Sequence, residues 1–235
     1  AREDIDKRMI RTVGDPFQRL EEDALRILRA VRFATTLHFD IDPSLKEAII
    51  EKRDLLKELS KDRIKMELDR ILQDPSGLEW LCKLKLEEAL ELGEFSNVTW
   101  VDDIDFCWAQ LNWKAYPMSR KKTSKISAIQ KLLHQNLSDP LVLYQTEDEW
   151  IRKLAMIKNI SYEELSRKKE LLPIHGTKEI AVSIDGLKQT YATYSDKLIY
   201  QWWKELEIQI VLGTVENTKD AIHRFIDQKI SIHQK

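Results

Sequence analysis

Glycine is scarce, with six in 235 residues, well under half of the roughly 7% usual in globular chains. That excludes phosphate-cradling glycine loops and many-turned β-sandwiches as the organising features. Cysteine is rarer still: Cys82 and Cys107 stand alone without metal-ligand spacing. A secreted chain of this size usually carries more, so a reducing, cytoplasmic compartment is expected. No run approaches the roughly 20 apolar residues a bilayer span needs, and Ala1-Arg2-Glu3-Asp4 is no signal peptide; no membrane partner is expected. The initiator methionine is missing and the chain opens in charged, helix-compatible sequence, as a piece of a longer protein would. Five histidines, His38, His134, His175, His223 and His233, include no His-Asp dipeptide and no i, i+4 pair. Metal-dependent phosphohydrolase ligands are therefore absent, as are serine or cysteine nucleophile motifs. Neither a catalytic residue nor a metal ligand is expected in this chain.

What is present is a globular composition, 43% hydrophobic and 33% charged, sufficient for one or two packed cores. The formal charge of −2 conceals segregation. Residues 76–110 hold two basic and eight acidic side chains, whereas residues 111–135 hold six basic and no acidic ones. A basic stretch inside a mildly acidic chain suits a directed polyanion contact; a solvated helix face is the plainer alternative.

Apolar residues recur at helical spacing almost throughout, so an all-α fold is expected. Asp15-Pro16 and Asp42-Pro43 place a capping carboxylate before a proline at the first helical position, and Ser60 opens another helix, with Leu59 and Ile64 spaced as a hydrophobic staple. The spacing predicts helices near 16–37, 43–57, 60–73, 76–91, 100–111, 121–136, 139–157, 161–170, 178–192, 195–212 and 217–230. Breaks are expected at Leu92-Gly93-Glu94 and from Leu172 to Gly176.

The helix predicted over 16–37 is the informative one. Leu20, Ala24, Ile27, Leu28, Val31 and Ala34 fall on one face, with Arg19, Glu22, Asp23, Arg26, Arg29 and Arg32 over the rest. A solvated face laced by pairs such as Arg19 with Asp23 would account for the charges. Asp23 and Arg26, however, are three apart and point the same way, an acceptor beside a fixed donor fork. Cytosine and adenine each present an exocyclic amine beside a ring-nitrogen acceptor; uracil and guanine present the reverse polarity. A carboxylate and a guanidinium so placed would accept C and A and reject U and G, with roughly 1–3 kcal/mol of discrimination per bidentate contact.

The stretch Val13-Gly14-Asp15-Pro16 followed by QRLEEDALRILRAVRFATTLHFDID closely resembles the neck of class II tRNA nucleotidyltransferases, the CCA-adding enzymes of Gram-positive bacterial type and their poly(A) polymerase relatives. EDALR at 22–26 is similar to that family's amino-acid template, and LSKDRIKMELDRIL at 59–72 to its supporting helix. ELLPIHGTKEIAVSIDGL at 170–187 and WWKELEIQIVLGTVENTKDAI at 202–222 resemble the family's tail more loosely, with Tyr194-Ser195-Asp196-Lys197 where a glycine turn is usual.

The resemblance implies an elongated helical array: a neck over 1–75, a body over 76–157 and a tRNA-binding tail over 158–235. It implies that Asp23 and Arg26 pair with incoming CTP or ATP, that Glu22 and Arg29 orient template or nucleotide, and that Arg63 and Glu67 support the template. The plainer reading of Arg63 and Glu67, four apart, is a surface salt bridge with each other. In the family, two magnesium ions are held by carboxylates of a β-sheet head domain, and AREDIDKRMIRTVGDP resembles the end of the hinge joining head to neck. The Asp-x-Asp pairs Asp4/Asp6, Asp40/Asp42 and Asp103/Asp105 follow no glycine pair and no strand pattern, so the magnesium is assigned to an absent head.

Lys114, Arg120, Lys121, Lys122, Lys125 and Lys131, interleaved with Trp113 and Tyr116, suit phosphate contact with stacking; the resemblance makes the partner the acceptor stem and T arm of tRNA. Of the adjacent Trp202 and Trp203, one is expected in the core and one partly exposed. A CC-adding, A-adding or poly(A) polymerase relative, or a non-catalytic helical RNA-binding module, fits the same residues.

Overall fold

A computed structural model describes residues 2–233. Helix dominates the described residues, and the chain divides into two compact units, Ala1–His134 with Met156–Lys158, and Gln135–Ala155 with Asn159–Lys235.

The first unit runs α1 (Arg2–Asp6), β1 (Met9–Ile10), α2 (Pro16–Glu22), α3 (Leu25–Leu37), β2 (Asp40–Ile41), α4 (Pro43–Lys52), a 3-10 turn over Arg53–Glu58, then α5 (Lys61–Ile71), α6 (Pro75–Lys83), α7 (Glu87–Leu90), α8 (Ile104–Ala109) and α9 (Arg120–Leu133). β1 and β2 form a short parallel pair, Met9 opposite Asp40 and Ile10 opposite Ile41. The expected caps form. Asp15 accepts from the Gln18 amide and Ser60 from that of Arg63. Asp42 accepts from Ser44 and is gripped by Arg11 at 3.0 Å. Fully buried Leu20, Ile27, Leu28 and Val31 face Leu45, Ala48 and Ile49 of α4 and Ile64, Leu68 and Ile71 of α5. α3 packs on both α5 and α6, and α2 on α4.

The single helix expected over 16–37 is broken. Asp23 is extended (φ −154°, ψ 100°) and its Oδ1 accepts from the Leu25 amide at 3.1 Å, while its carbonyl accepts from the Arg26 amide at 3.0 Å. An aspartate that bonds the backbone two residues on competes with the helix ladder. The break turns Leu25, off the apolar face of a continuous helix, into the core at 5% exposure. Likewise the helix expected over 76–91 divides into α6 and α7, and that over 139–157 divides in two at Thr146. Chain breaks occur where expected, with Glu91 and Gly93 at positive φ (58° and 82°).

The second unit contains α10 (Pro140–Gln145), most of α11 (Asp148–Lys158), α12 (Tyr162–Glu170), α13 (Ile184–Thr190), α14 (Asp196–Val211) and α15 (Lys219–His233). Its core gathers Ile199, Leu206 and Ile210 of α14 with Leu187, Ile222 and Ile226. Trp202 and Trp203 are both buried, at 6% and 5% exposure. The expectation that one is partly exposed fails because α10, α13 and α15 all pack on α14 and cover both sides. Tyr194 meets Trp202 edge-on at 5.4 Å. Tyr191 donates to Asp227 and stands 3.0 Å from His223 Nδ1, linking α13 to α15.

Charged side chains join α5, α8 and α9. Asp69 accepts from Trp108 Nε1 at 2.8 Å and Lys65 at 2.5 Å, with Lys122 at 3.4 Å. Burial pushes the Asp69 carboxyl up, but the Lys65 and Trp108 hydrogen bonds and the Lys122 charge outweigh it and hold the group below its ordinary value. A lowered native value means that stability from this group is complete above about pH 5 and is lost as pH falls through about 3.9 toward the native value. Asp69→Asn is expected to cost about 1–3 kcal/mol at neutral pH. Urea midpoints of the two chains, well separated at pH 7 and converging on acidification below about 3.9, are the check.

Candidate nucleotide-binding site

The break at Asp23 sets four charged groups beside one another. Glu22, the last residue of α2, receives Arg19 Nη1 at 2.9 Å and Arg26 Nη1 at 2.8 Å; the Arg26 and then the Arg19 hydrogen bonds lower its carboxyl. Arg26 Nη1 also donates to the Arg19 carbonyl at 2.7 Å. The Arg19 pairing anticipated with Asp23 is thus with Glu22 instead, because the extended backbone at Asp23 swings its carboxylate away from the preceding turn.

Asp23 is held from α3 and α5. Arg63 Nη2 lies 3.4 Å from Oδ1, and Arg29 Nη1 lies 3.7 Å from Oδ2. Neither Asp23 nor Arg26 is sealed away: their side chains are 27% and 38% exposed. A pocket of about 290 Å³ lined by Thr12, Val13, Arg19 and Arg26 opens here, and its lining takes in Arg26 but not Asp23. Gly14 turns the entering chain at φ +88°, and Arg19 Nε donates to the Val13 carbonyl at 2.9 Å.

Arg63 and Glu67 do not act as a pair of their own. Arg63 reaches Asp23, while Glu67 accepts from Arg32 Nε at 2.6 Å with Arg29 Nε at 3.9 Å. Glu67 is buried among Ile64, Leu68 and Ile71 on the core face of α5, which the i, i+3, i+4 spacing of those residues already indicates. Sequence reasoning missed Arg32 as its partner; an acidic residue on an apolar stripe facing an arginine-rich helix was the available signal.

The basic segment divides. Lys114, Arg120, Lys121 and Lys131 are exposed. Lys122 is tied to Asp69 and Asp105, and Lys125 to Asp103 and Asp105. Trp113 and Tyr116 are buried at 6% and 3%, and the Tyr116 hydroxyl donates to the Leu90 carbonyl. The expected stacking surface is therefore absent at these two residues, whose rings are buried, that of Tyr116 5.5 Å from Trp108.

The side chains present do not fit a two-metal centre. Asp42 caps α4 and pairs with Arg11; Asp103 caps α8 and shares Lys125 with Asp105. Among the described residues no group of three or more His, Cys, Asp or Glu side chains is placed to hold a metal ion.

Residues 100–226, more than half the chain, match the family model described as tRNA nucleotidyltransferase domain 2. The chain belongs to the tRNA nucleotidyltransferase family. Residues 38–91 match a second model, "Probable RNA and SrmB-binding site of polymerase A". Among curated relatives, the CCA-adding enzyme of Bacillus licheniformis is 27% identical over 95% of this chain and 65% of its own length, and that of Bacillus subtilis 26% identical over 96% and 66%. The chain thus spans just under two thirds of these relatives. The fold resembles the crystal structure of the Bacillus stearothermophilus CCA-adding enzyme in complex with CTP, with a TM-score of 0.73 at 22% identity over 99% of this chain and 68% of that one.

Because removing one member of a buried ion pair strands the other, Arg32→Ala is expected to cost about 3 kcal/mol of stability. The double variant Arg32→Met with Glu67→Leu recovers most of that loss. Thermal melts of the three chains test both statements; equal melting of Arg32→Ala and the wild type contradicts them.

Proposed function

We propose that this chain is the nucleotide-selecting and tRNA-holding part of a CCA-adding tRNA nucleotidyltransferase, its neck, body and tail over 1–75, 76–157 and 158–235. The observation that carries the reading is that Asp23 and Arg26 both remain part-exposed at one helix break, Asp23 held by Arg63 and Arg29 and Arg26 resting on Glu22. CTP and ATP are the substrates whose base edges match: the Asp23 carboxylate accepts from the exocyclic amine, and the Arg26 fork donates to the ring nitrogen. UTP and GTP would set a carbonyl against the carboxylate and a ring N–H against the guanidinium.

Arg26 is committed to Glu22 in this structure, so base recognition requires its guanidinium to turn from that carboxylate toward the base. Glu22 then serves as the resting place that keeps Arg26 on this side of the pocket, and Arg29 and Arg63 hold the Asp23 carboxylate in place. The names of the relatives support CCA addition as the activity of the whole enzyme, and a solved neighbour of similar fold, the Thermotoga maritima CCA-adding enzyme, is complexed with tRNA. The magnesium-holding carboxylates belong to a head domain that works with these residues. No helix of the described residues is long and apolar enough to cross a membrane.

For tRNA, the acceptor stem and T arm fall to Lys114, Arg120, Lys121 and Lys131, the exposed members of the basic segment. Lys122 and Lys125 contribute indirectly by holding α9 to α5 and α8.

Quenching of tryptophan emission by CTP and ATP, and its absence with UTP and GTP, tests the template. Asp23→Ala and Arg26→Ala are expected to abolish the difference; equal response to all four nucleotides refutes it. With tRNA, replacing the four exposed cations by alanine is expected to flatten the log K against log salt slope by up to about 3.6 units, near 0.9 per lost phosphate contact. Lys122→Ala changes stability and leaves that slope alone. Lastly, the 235-residue chain with magnesium is expected to add no CTP to tRNA lacking its CCA end; measurable incorporation defeats the assignment of the metal ligands to a head.

A further inference from the structure

A cavity of about 630 Å³ lies away from Asp23 and Arg26, between the C-terminal end of α3, β2, α4 and α6. Its wall includes the Trp80 indole, with Lys46 Nζ and Lys83 Nζ each 5.2 Å from the ring centroid. Phe39 continues the apolar side, and Asp40, bonded to Lys46 at 2.7 Å, offers an acceptor at the rim. The volume falls in the range of small-molecule sites, and an apolar wall with a few convergent polar groups is their usual make-up.

His38 lines the same cavity from a left-handed backbone, φ 51° and ψ 45°, at the end of α3. Glycine takes that conformation without penalty and is the usual occupant of this capping position.

We propose that this cavity is a second nucleotide-recognition site, taking a base against Trp80 with its phosphate between Lys46, Lys83 and His38. An indole with two ammonium groups over it, each 5.2 Å from the ring centroid, answers a planar ring that carries an anion and can draw those ammonium groups onto its phosphate. Asp40 at the rim can accept from an exocyclic amine. The shared chemistry is one unstacked nucleotide, either free or within an RNA strand. The site is separate from the template, so its existence does not depend on the function proposed above.

The test uses the full chain, with AMP followed by calorimetry and a fluorescein-labelled ten-nucleotide oligoadenylate followed by anisotropy. Trp80→Leu and Lys83→Ala are expected to weaken binding by about tenfold, within the range of a lost base–aromatic stack. His38→Gly is expected to melt higher than the wild type and yet bind more weakly, which separates lost recognition from lost folding. Weakening with AMP identifies the free nucleotide as sufficient; weakening with the oligonucleotide alone identifies an RNA segment, and either supports the site. Arg26→Ala keeps the Trp80-dependent response. The proposal is overturned if neither probe binds, if the three cavity variants bind as the wild type does, if Arg26→Ala removes the response, or if a Tyr-containing polyglutamate peptide displaces the oligonucleotide with higher affinity than AMP.

Discussion

A carboxylate on the core face of α5 has to be answered by cations, and α3 answers it. Glu67 sits among Ile64, Leu68 and Ile71 at 7% exposure, where an unpaired carboxylate would cost several kcal/mol. Arg32 meets it at 2.6 Å and Arg29 stands at 3.9 Å. This fixes the rotation of α3 against α5, and with it the direction in which the start of α3 points. Arg63, one turn before Glu67 on the same helix, then falls within 3.4 Å of Asp23. A buried pair of this kind contributes little net stability; its consequence here is register, because a slip of either helix would strand a charge.

The break between α2 and α3 is the second element of the same arrangement. In a continuous helix the Asp23 and Arg26 side chains would share one solvated face, and the carboxylate would compete for the guanidinium. With Asp23 extended and its Oδ1 on the Leu25 amide, the two groups are separated into different partnerships, Asp23 with Arg29 and Arg63, Arg26 with Glu22. Helical periodicity reveals the apolar stripe from Leu20 through Ala34, because burial follows the 3.6-residue repeat whether or not the backbone is interrupted. It does not reveal the interruption, since the competing bond at Asp23 is a local choice that leaves no trace in spacing. The caps at Asp15, Asp42 and Ser60 were legible for the opposite reason: each pairs a capping side chain with a proline or a polar first turn.

The basic segment shows where charge counting stops being informative. Six cations and no acids over 111–135 read as a polyanion surface, but the acids that claim Lys122 and Lys125 lie elsewhere in the chain, at Asp69, Asp103 and Asp105. Position on the helix decides which cations remain for a partner. Lys122 and Lys125 are three apart on the side of α9 that carries Ile126 and Ile129 toward the core, so their amines meet neighbouring elements, whereas Arg120, Lys121 and Lys131 face outward. The interleaved aromatics obey the same rule: Trp113 and Tyr116 have too much apolar area to leave in water when a core lies beside them.

The relative strengths of these contacts bear on how the proposed template could work. The Arg26–Glu22 pair is a little over a third exposed on both sides, and solvent screening leaves such exposed pairs weak. A correctly matched base edge is worth roughly 1–3 kcal/mol, so cytosine or adenine can draw Arg26 from Glu22 with free energy to spare. A mismatched edge loses the pair and gains nothing, and it also leaves the Asp23 carboxylate facing a carbonyl. On this reading Glu22 does more than park an arginine: it gives every wrong nucleotide a competitor. Selectivity then depends on the resting pair being weak, which its exposure ensures, and on Asp23 being immobile, which Arg63, Arg29 and the Leu25 amide ensure.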